Sequence, residues 1–141
     1  METLSPQPET VLVHDAARPF VTGEMIEETI VAAQVHGACT TALAVTDTVK
    51  RVHDGMVVET LDRESLILVQ TPQAARFDWL IAAHRKARES GVATTDDAAV
   101  LEAAGHKVAV VRGASFNIKV TQAEDLILSE LLANRLLKSR K

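Results

Sequence analysis

Short apolar runs alternate with longer stretches of helical spacing along this chain, and that alternation predicts the elements in order. Val11-Leu12-Val13 is apolar at every position and reads as a buried strand. Thr22 offers a helix N-cap with Glu24 in the first turn; Ile26, Ile30 and Ala33 follow at helical spacing, and Gly37 is a natural stop. Ala38 to Val45 predicts a second buried strand. Two β-prone runs, 45–53 and 56–61, flank Asp54-Gly55, a strong hairpin signal. The run Leu66 to Val69 predicts another short strand, punctuated by Thr71-Pro72-Gln73. Phe77, Leu80, Ile81 and His84 form a helical stripe ended by Gly91, with His84 expected as a satisfied residue at the core's edge. Thr94-Thr95-Asp96-Asp97 can cap a short helix through Ala104, with Val100, Leu101 and Ala104 inward. Lys107 to Arg112 alternates as a strand, and Asn117 to Val120 reads as a further short extended run. Thr121-Gln122-Ala123-Glu124 has the form of a capping box opening a last helix. Its buried side is expected from Leu126, Ile127, Leu131 and Leu132, and Arg135, Lys138, Arg140 and Lys141 suit its C-terminal end.

Strands alternating with helices predict an α/β fold with a largely parallel sheet, in one domain spanning 1–141. The hairpin at 45–62 departs from that order. It lacks a clean apolar face, and a lone two-stranded hairpin is marginal in water. It is therefore expected to pack on something, either its own domain or, most simply, the same arm of a second subunit.

Bulk properties narrow the function classes. A formal net charge of -4 and three per cent aromatic residues, with no tyrosine, argue against nucleic-acid partners, which favour basic and stacking surfaces. No apolar stretch reaches membrane-spanning length, and the first residues lack the basic and apolar regions of a secretory signal. The one cysteine, Cys39, lies in a small-residue run and is expected to pack as a small hydrophobe. A cytoplasmic location is the corresponding expectation.

Candidate chemistry gathers where strands end. Asp15 and Arg18 follow the first strand within His14-Asp15-Ala16-Ala17-Arg18-Pro19-Phe20. In open α/β sheets ligands bind beyond the strands' carboxyl ends. A carboxylate there can hold a hard cation, and a guanidinium can grip a phosphate with two parallel bonds. On spacing alone, a turn-capping acid and a solvated base are the plainer reading. Gly-rich phosphate loops, Gly-x-Ser-x-Gly, Cys-x-x-Cys and His-Glu-x-x-His are all missing from the sequence. What remains is Asp15, Arg18, Thr48, Lys50, Arg63, Thr71, Thr95 and Lys119, a set suited to a phosphorylated polyol.

The string at 14–20 closely resembles the signature of the 2-C-methyl-D-erythritol 4-phosphate cytidylyltransferases, nucleotidyltransferases of non-mevalonate isoprenoid synthesis. Further matches are 46–51, Leu61-Asp62-Arg63, Gln70-Thr71-Pro72-Gln73, Thr95-Asp96-Asp97-Ala98 and 117–121. Each alone is weak, and together in this order they are specific. The resemblance implies a Rossmann-like nucleotidyltransferase sheet with a protruding β-hairpin arm. It implies CTP and methylerythritol phosphate as substrates, and Mg2+ as cofactor, held by Asp15. Arg18, Thr48, Arg63, Thr71, Thr95 and Lys119 would line the sugar-phosphate pocket, with Asp15 and Lys119 catalytic and Ala16 and Asp15 beside the nucleotide. It also implies a homodimer through the arm, with Arg63 reaching the partner's pocket.

The family's Gly-rich loop, with an arginine and then a lysine that cradle the CTP triphosphate, has no counterpart in these residues. The chain therefore resembles a C-terminal portion and is expected to be inactive alone. Two alternatives accompany this reading: a ribitol-5-phosphate-type cytidylyltransferase, and a non-catalytic dimerising module.

Overall fold

A computed structural model describes residues 6–91 and 93–139. Residues 1–5 and the expected basic side chains Lys138, Arg140 and Lys141 lie outside the described residues. The elements run β1 (Thr10–Val13), α1 (Gly23–His36), β2 (Ala38–Ala44), β3 (Lys50–His53), β4 (Met56–Thr60), a 3-10 turn (Arg63–Ser65), β5 (Ile67–Arg76), α2 (Phe77–Ser90), α3 (Asp97–Ala103), β6 (Ala109–Arg112) and α4 (Ala123–Ser139).

Four strands form the main sheet in the order β1-β5-β2-β6. β1, β2 and β6 point the same way, and β5 runs against its two neighbours. The α/β expectation therefore holds, but the sheet is mixed: the central β5 is reversed, so both of its pairings are antiparallel and β2–β6 is the parallel one. Side chains alternate across a pleated strand, and this sheet is covered on both faces. Ala38 and Ala75 pack with Leu80 and Ala83 of α2 and Val100 and Leu101 of α3. Their chain neighbours Cys39 and Ala74 pack on the other side against Ala33 of α1.

Several local signals act as read. The Thr22 hydroxyl accepts from the Met25 amide, and Gly37 ends α1 at φ 85°. A Cβ at Gly37 would collide with the Trp79 ring. Asp54 and Gly55 both have positive φ, as the tight hairpin turn between β3 and β4 requires. Cys39 is buried and its Sγ donates to the Thr29 carbonyl at 3.0 Å. Burial pushes its thiol pKa up.

Other expectations are corrected. The buried stripe of α1 is Met25, Thr29 and Ala33, so Ile26 and Ile30 flank it. β1 is half-buried throughout because it is an edge strand and pairs only with β5 among the described residues. β5 continues straight through Pro72 to Arg76. Proline is tolerated there because the β2 register shifts between Thr40 and Thr41, whose partners are Gln73 and Gln70, so Thr71 and Pro72 need no ladder bond. Residues 117–120 form no strand; they follow a turn closed by the Asn117 amide on the Ala114 carbonyl. At the start of α4 it is Asp125, one residue beyond the expected Glu124, that takes the amides of Thr121 (2.8 Å) and Gln122 (2.9 Å). Those bonds hold the Asp125 carboxyl below its ordinary pKa. Leu126, Ile127 and Leu131, expected inward, are exposed, and Leu132 is half-buried, because α4 lies outside the two layers that cover the sheet.

Candidate functional site

Beyond the carboxyl end of β1, beside the middle of β5, lies a hollow of about 430 Å3. Asp15, Arg18, Thr71, Thr95 and Lys119 all line it, with Gln70, Gln73, Asp96 and Asp97. Four separate segments thus deliver five of the residues singled out from the sequence to one place. Thr48, Arg63, Lys50 and Ala16 are not among the lining residues. Thr48 and Lys50 belong to the arm, and the Lys50 ammonium donates to the Thr60 hydroxyl across it. Arg63 donates to the Thr46 carbonyl at 2.7 Å, which ties the arm's two roots together. Ala16 is exposed in the turn that follows Asp15.

The turn brings opposite charges together. Arg18 donates its amide to the Asp15 carbonyl, and its Nε sits 3.6 Å from Asp15 Oδ2. Lys119 Nζ approaches the same oxygen at 3.0 Å. The Arg18 side chain is only 12% exposed, and its Nη1 donates to the Asn117 carbonyl at 2.8 Å. Its buried Nε has no hydrogen-bond partner. The Asp15 carboxylate answers its charge at longer range, and the guanidinium lines the hollow, where it can also meet an anion.

Three buried amides, each one step from the obvious chemistry, hold these groups. Gln70 Nε2 donates to the carbonyls of Ala114 (3.1 Å) and Asn117 (3.3 Å), and its Oε1 accepts from the Ala114 amide. It thereby pins the loop that leads to Lys119. Gly113 lets that loop pass, since a Cβ there would strike Gln70 Oε1 and crowd the Ala42 carbonyl at 3.1 Å. Gln73 donates to Asp96 Oδ2 at 2.8 Å and accepts from the Ala98 amide at 3.0 Å, which fixes the start of α3 and the adjacent Thr95. Asn117, fully buried, donates to the Thr71 carbonyl at 2.8 Å. The signal for all three was their place in the matched strings; nothing in their spacing distinguished them from surface amides. His84 meets Asp97 at 2.7 Å, as a satisfied edge histidine should.

The donor set also bears on a cation. Asp96 is occupied by the Ala99 amide and Gln73, and Asp97 meets His84; Asp15, whose Oδ2 meets Lys119 and Arg18, is the remaining carboxylate on the hollow for a metal. No cluster of three or more metal-ligating side chains occurs among the described residues. Mg2+ commonly takes one or two carboxylates and completes its shell with water and substrate phosphates. A single aspartate fits a cation that arrives with a phosphorylated ligand.

The profile of the 2-C-methyl-D-erythritol 4-phosphate cytidylyltransferase family, IspD, matches residues 1–135. This chain belongs to that family. The curated enzyme of that name from Bacillus mycoides is 50% identical over 122 residues, which cover 86% of this chain and 54% of the relative. The bifunctional enzyme IspD/IspF of Gluconobacter oxydans is 47% identical over 133 residues. Among solved structures, the Thermus thermophilus cytidylyltransferase superposes with a TM-score of 0.82 at 40% identity, covering 89% of this chain and 62% of that one. The 4-diphosphocytidyl-2C-methyl-D-erythritol synthase of Anaerococcus prevotii gives 0.87 at 37% identity, covering 94% and 62%. The fold is therefore that of the family's nucleotidyltransferases, and the chain spans about half the length of the Bacillus mycoides relative and 34% of the bifunctional one. No helix among the described residues is long and apolar enough to cross a membrane.

Proposed function

We propose that this chain supplies the sugar-phosphate and cation-holding part of a cytidylyltransferase site that transfers CMP from CTP to 2-C-methyl-D-erythritol 4-phosphate, a step of isoprenoid synthesis. The observation that carries this is the convergence of Asp15, Arg18 and Lys119 on one hollow, with Thr71 and Thr95 on its walls. In the reaction, a phosphate oxygen of the sugar phosphate attacks the α-phosphorus of CTP in line. The new P–O bond forms as the bond to the β-phosphate's bridging oxygen breaks, and pyrophosphate leaves. Such chemistry depends on positioning and charge neutralisation rather than a covalent intermediate.

Each side chain then has a task. Lys119 and Arg18 receive the phosphate. Thr95 and Thr71 meet polyol hydroxyls. Asp15 holds Mg2+, which when bound offsets the charge between two polyanionic substrates, and Ala16 leaves space for the nucleotide. The protein acts as a cytoplasmic homodimer in which the arm, residues 45–62, embraces a partner and carries Thr48 and Arg63 to the partner's hollow. The exposure of Val52, Met56, Val57 and Val58 on β3 and β4 supports that assembly.

Calorimetric titration of the chain with methylerythritol phosphate tests the reading. Submillimolar uptake is expected, weakened at least tenfold by Lys119→Ala, which removes a charge-assisted bond. Ribitol 5-phosphate binding as well or better would move the assignment to that substrate, and uptake of neither would leave a dimerising module. These 141 residues contain no Gly-rich triphosphate cradle, so a pyrophosphate-release assay on this chain by itself should show no turnover.

A further inference from the structure

His14 is not among the residues that line the hollow, yet it links two segments that do. Its Nδ1 lies 3.0 Å from the Thr71 hydroxyl on β5, and its Nε2 lies 3.0 Å from the Arg18 carbonyl at the far end of the turn. The same Thr71 oxygen is 3.0 Å from the Asp15 amide. Both ends of this chain of contacts have a fixed polarity. An amide N–H can only donate, so the Thr71 oxygen accepts from Asp15. A carbonyl can only accept, so His14 Nε2 must carry a proton to bond Arg18. A neutral imidazole with its proton on Nε2 leaves Nδ1 bare, and the hydroxyl's single proton then points at Nδ1.

We propose that His14 is a positioning residue, held as the Nε2–H tautomer, which clamps the Asp15–Arg18 turn onto Thr71 and makes Thr71 an acceptor only toward a ligand. The hydroxyl has one proton and two lone pairs. The proton goes to His14 and one lone pair to Asp15, so a single lone pair faces the hollow. Thr71 can then take a bond from a polyol hydroxyl but cannot donate to a phosphate oxygen. The phosphate falls instead to Arg18 and Lys119, and the polyol carbons to Thr71. This orientation of the ligand rests on the function proposed above, whereas the tautomer and the clamp do not.

Nitrogen-15 NMR of the histidine-labelled chain, recorded well above the ordinary imidazole pKa of about 6.5, reads the tautomer directly. His14, assigned by its loss in His14→Asn, should show a bare Nδ1 and a protonated Nε2. A protonated Nδ1, or a rapidly averaged mixture of tautomers, would overturn the proposal. Binding of methylerythritol phosphate supplies the second reading. His14→Phe should weaken it about tenfold, the scale of one lost hydrogen bond to a turn that must stay ordered. His14→Asn, whose Oδ1 can replace Nδ1 toward Thr71, should recover part of that loss. In a cycle with Thr71→Val the two losses should fall well short of adding, and strict additivity would contradict the clamp. If the unaltered chain takes up no sugar phosphate, the functional reading fails while the NMR result still decides the tautomer.

Discussion

The hollow and the arm put polar and apolar groups to opposite use. At the hollow, Gln70, Gln73 and Asn117 are at most 7% exposed, and each is tied to the backbone of a neighbouring segment. At the arm, Val52, Met56, Val57 and Val58 are 56–70% exposed and cover nothing. A buried amide without partners would cost a few kcal/mol, so its bonds are part of the fold's design. Exposed valines in a two-stranded ribbon contribute almost nothing to a lone chain, and they become useful only against a second surface. The contrast separates what one chain completes from what the proposed dimer would cover.

The sharpest way to break the contrast is at Asn117. Asn117→Ala leaves the Thr71 carbonyl without its donor and opens a void in a fully buried position. Urea unfolding should show a loss of about 2–3 kcal/mol. Lys119→Ala should lower stability by less than about 0.5 kcal/mol, because that side chain is 47% exposed. Its effect belongs to the ligand, as the titration proposed above reads.

These two residues also mark how far the sequence could be read. Local chemistry was legible: Thr22 as a cap, Gly37 as a stop and Asp54-Gly55 as a turn each act through neighbours a few residues away. The end of β1 was legible as a place for charge at Asp15, whereas Lys119 reaches it from a loop and was singled out through the resemblance. Contacts over long separations were not. Asn117 reads as the start of a short extended run until Thr71, 46 positions earlier, is seen beside it. Pro72 reads as a strand end until the shift in β2 shows that its missing N–H is not needed. The leucines of α4 follow a helical period that predicts an inward face, but periodicity does not say whether a neighbour exists to cover it.

At the arm the expected effects on stability are small and those on assembly large. Val57→Lys should change unfolding by less than about 0.5 kcal/mol, since Val57 is 62% exposed. In sedimentation at rising concentration the same change should abolish self-association. Unaltered self-association would show that the arm is not the contact. The smallest effect is expected at Asp125. Its lowered carboxyl pKa means that the folded state favours the charged form, so its capping contribution is present above the ordinary carboxylate range. The contribution fades as pH falls through the depressed value. Helicity followed from pH 6 to pH 2 by circular dichroism should therefore show, near the acid end, a loss in the unaltered chain that the Asp125→Asn variant, with no carboxyl at that position to protonate, lacks.

A structure of the chain determined with methylerythritol phosphate bound tests the central claim most directly. The account predicts the phosphate in the hollow within hydrogen-bond reach of Lys119 Nζ and the Arg18 guanidinium, with a polyol hydroxyl donating to Thr71. A ligand seated elsewhere, or a phosphate turned away from both cations, would contradict it.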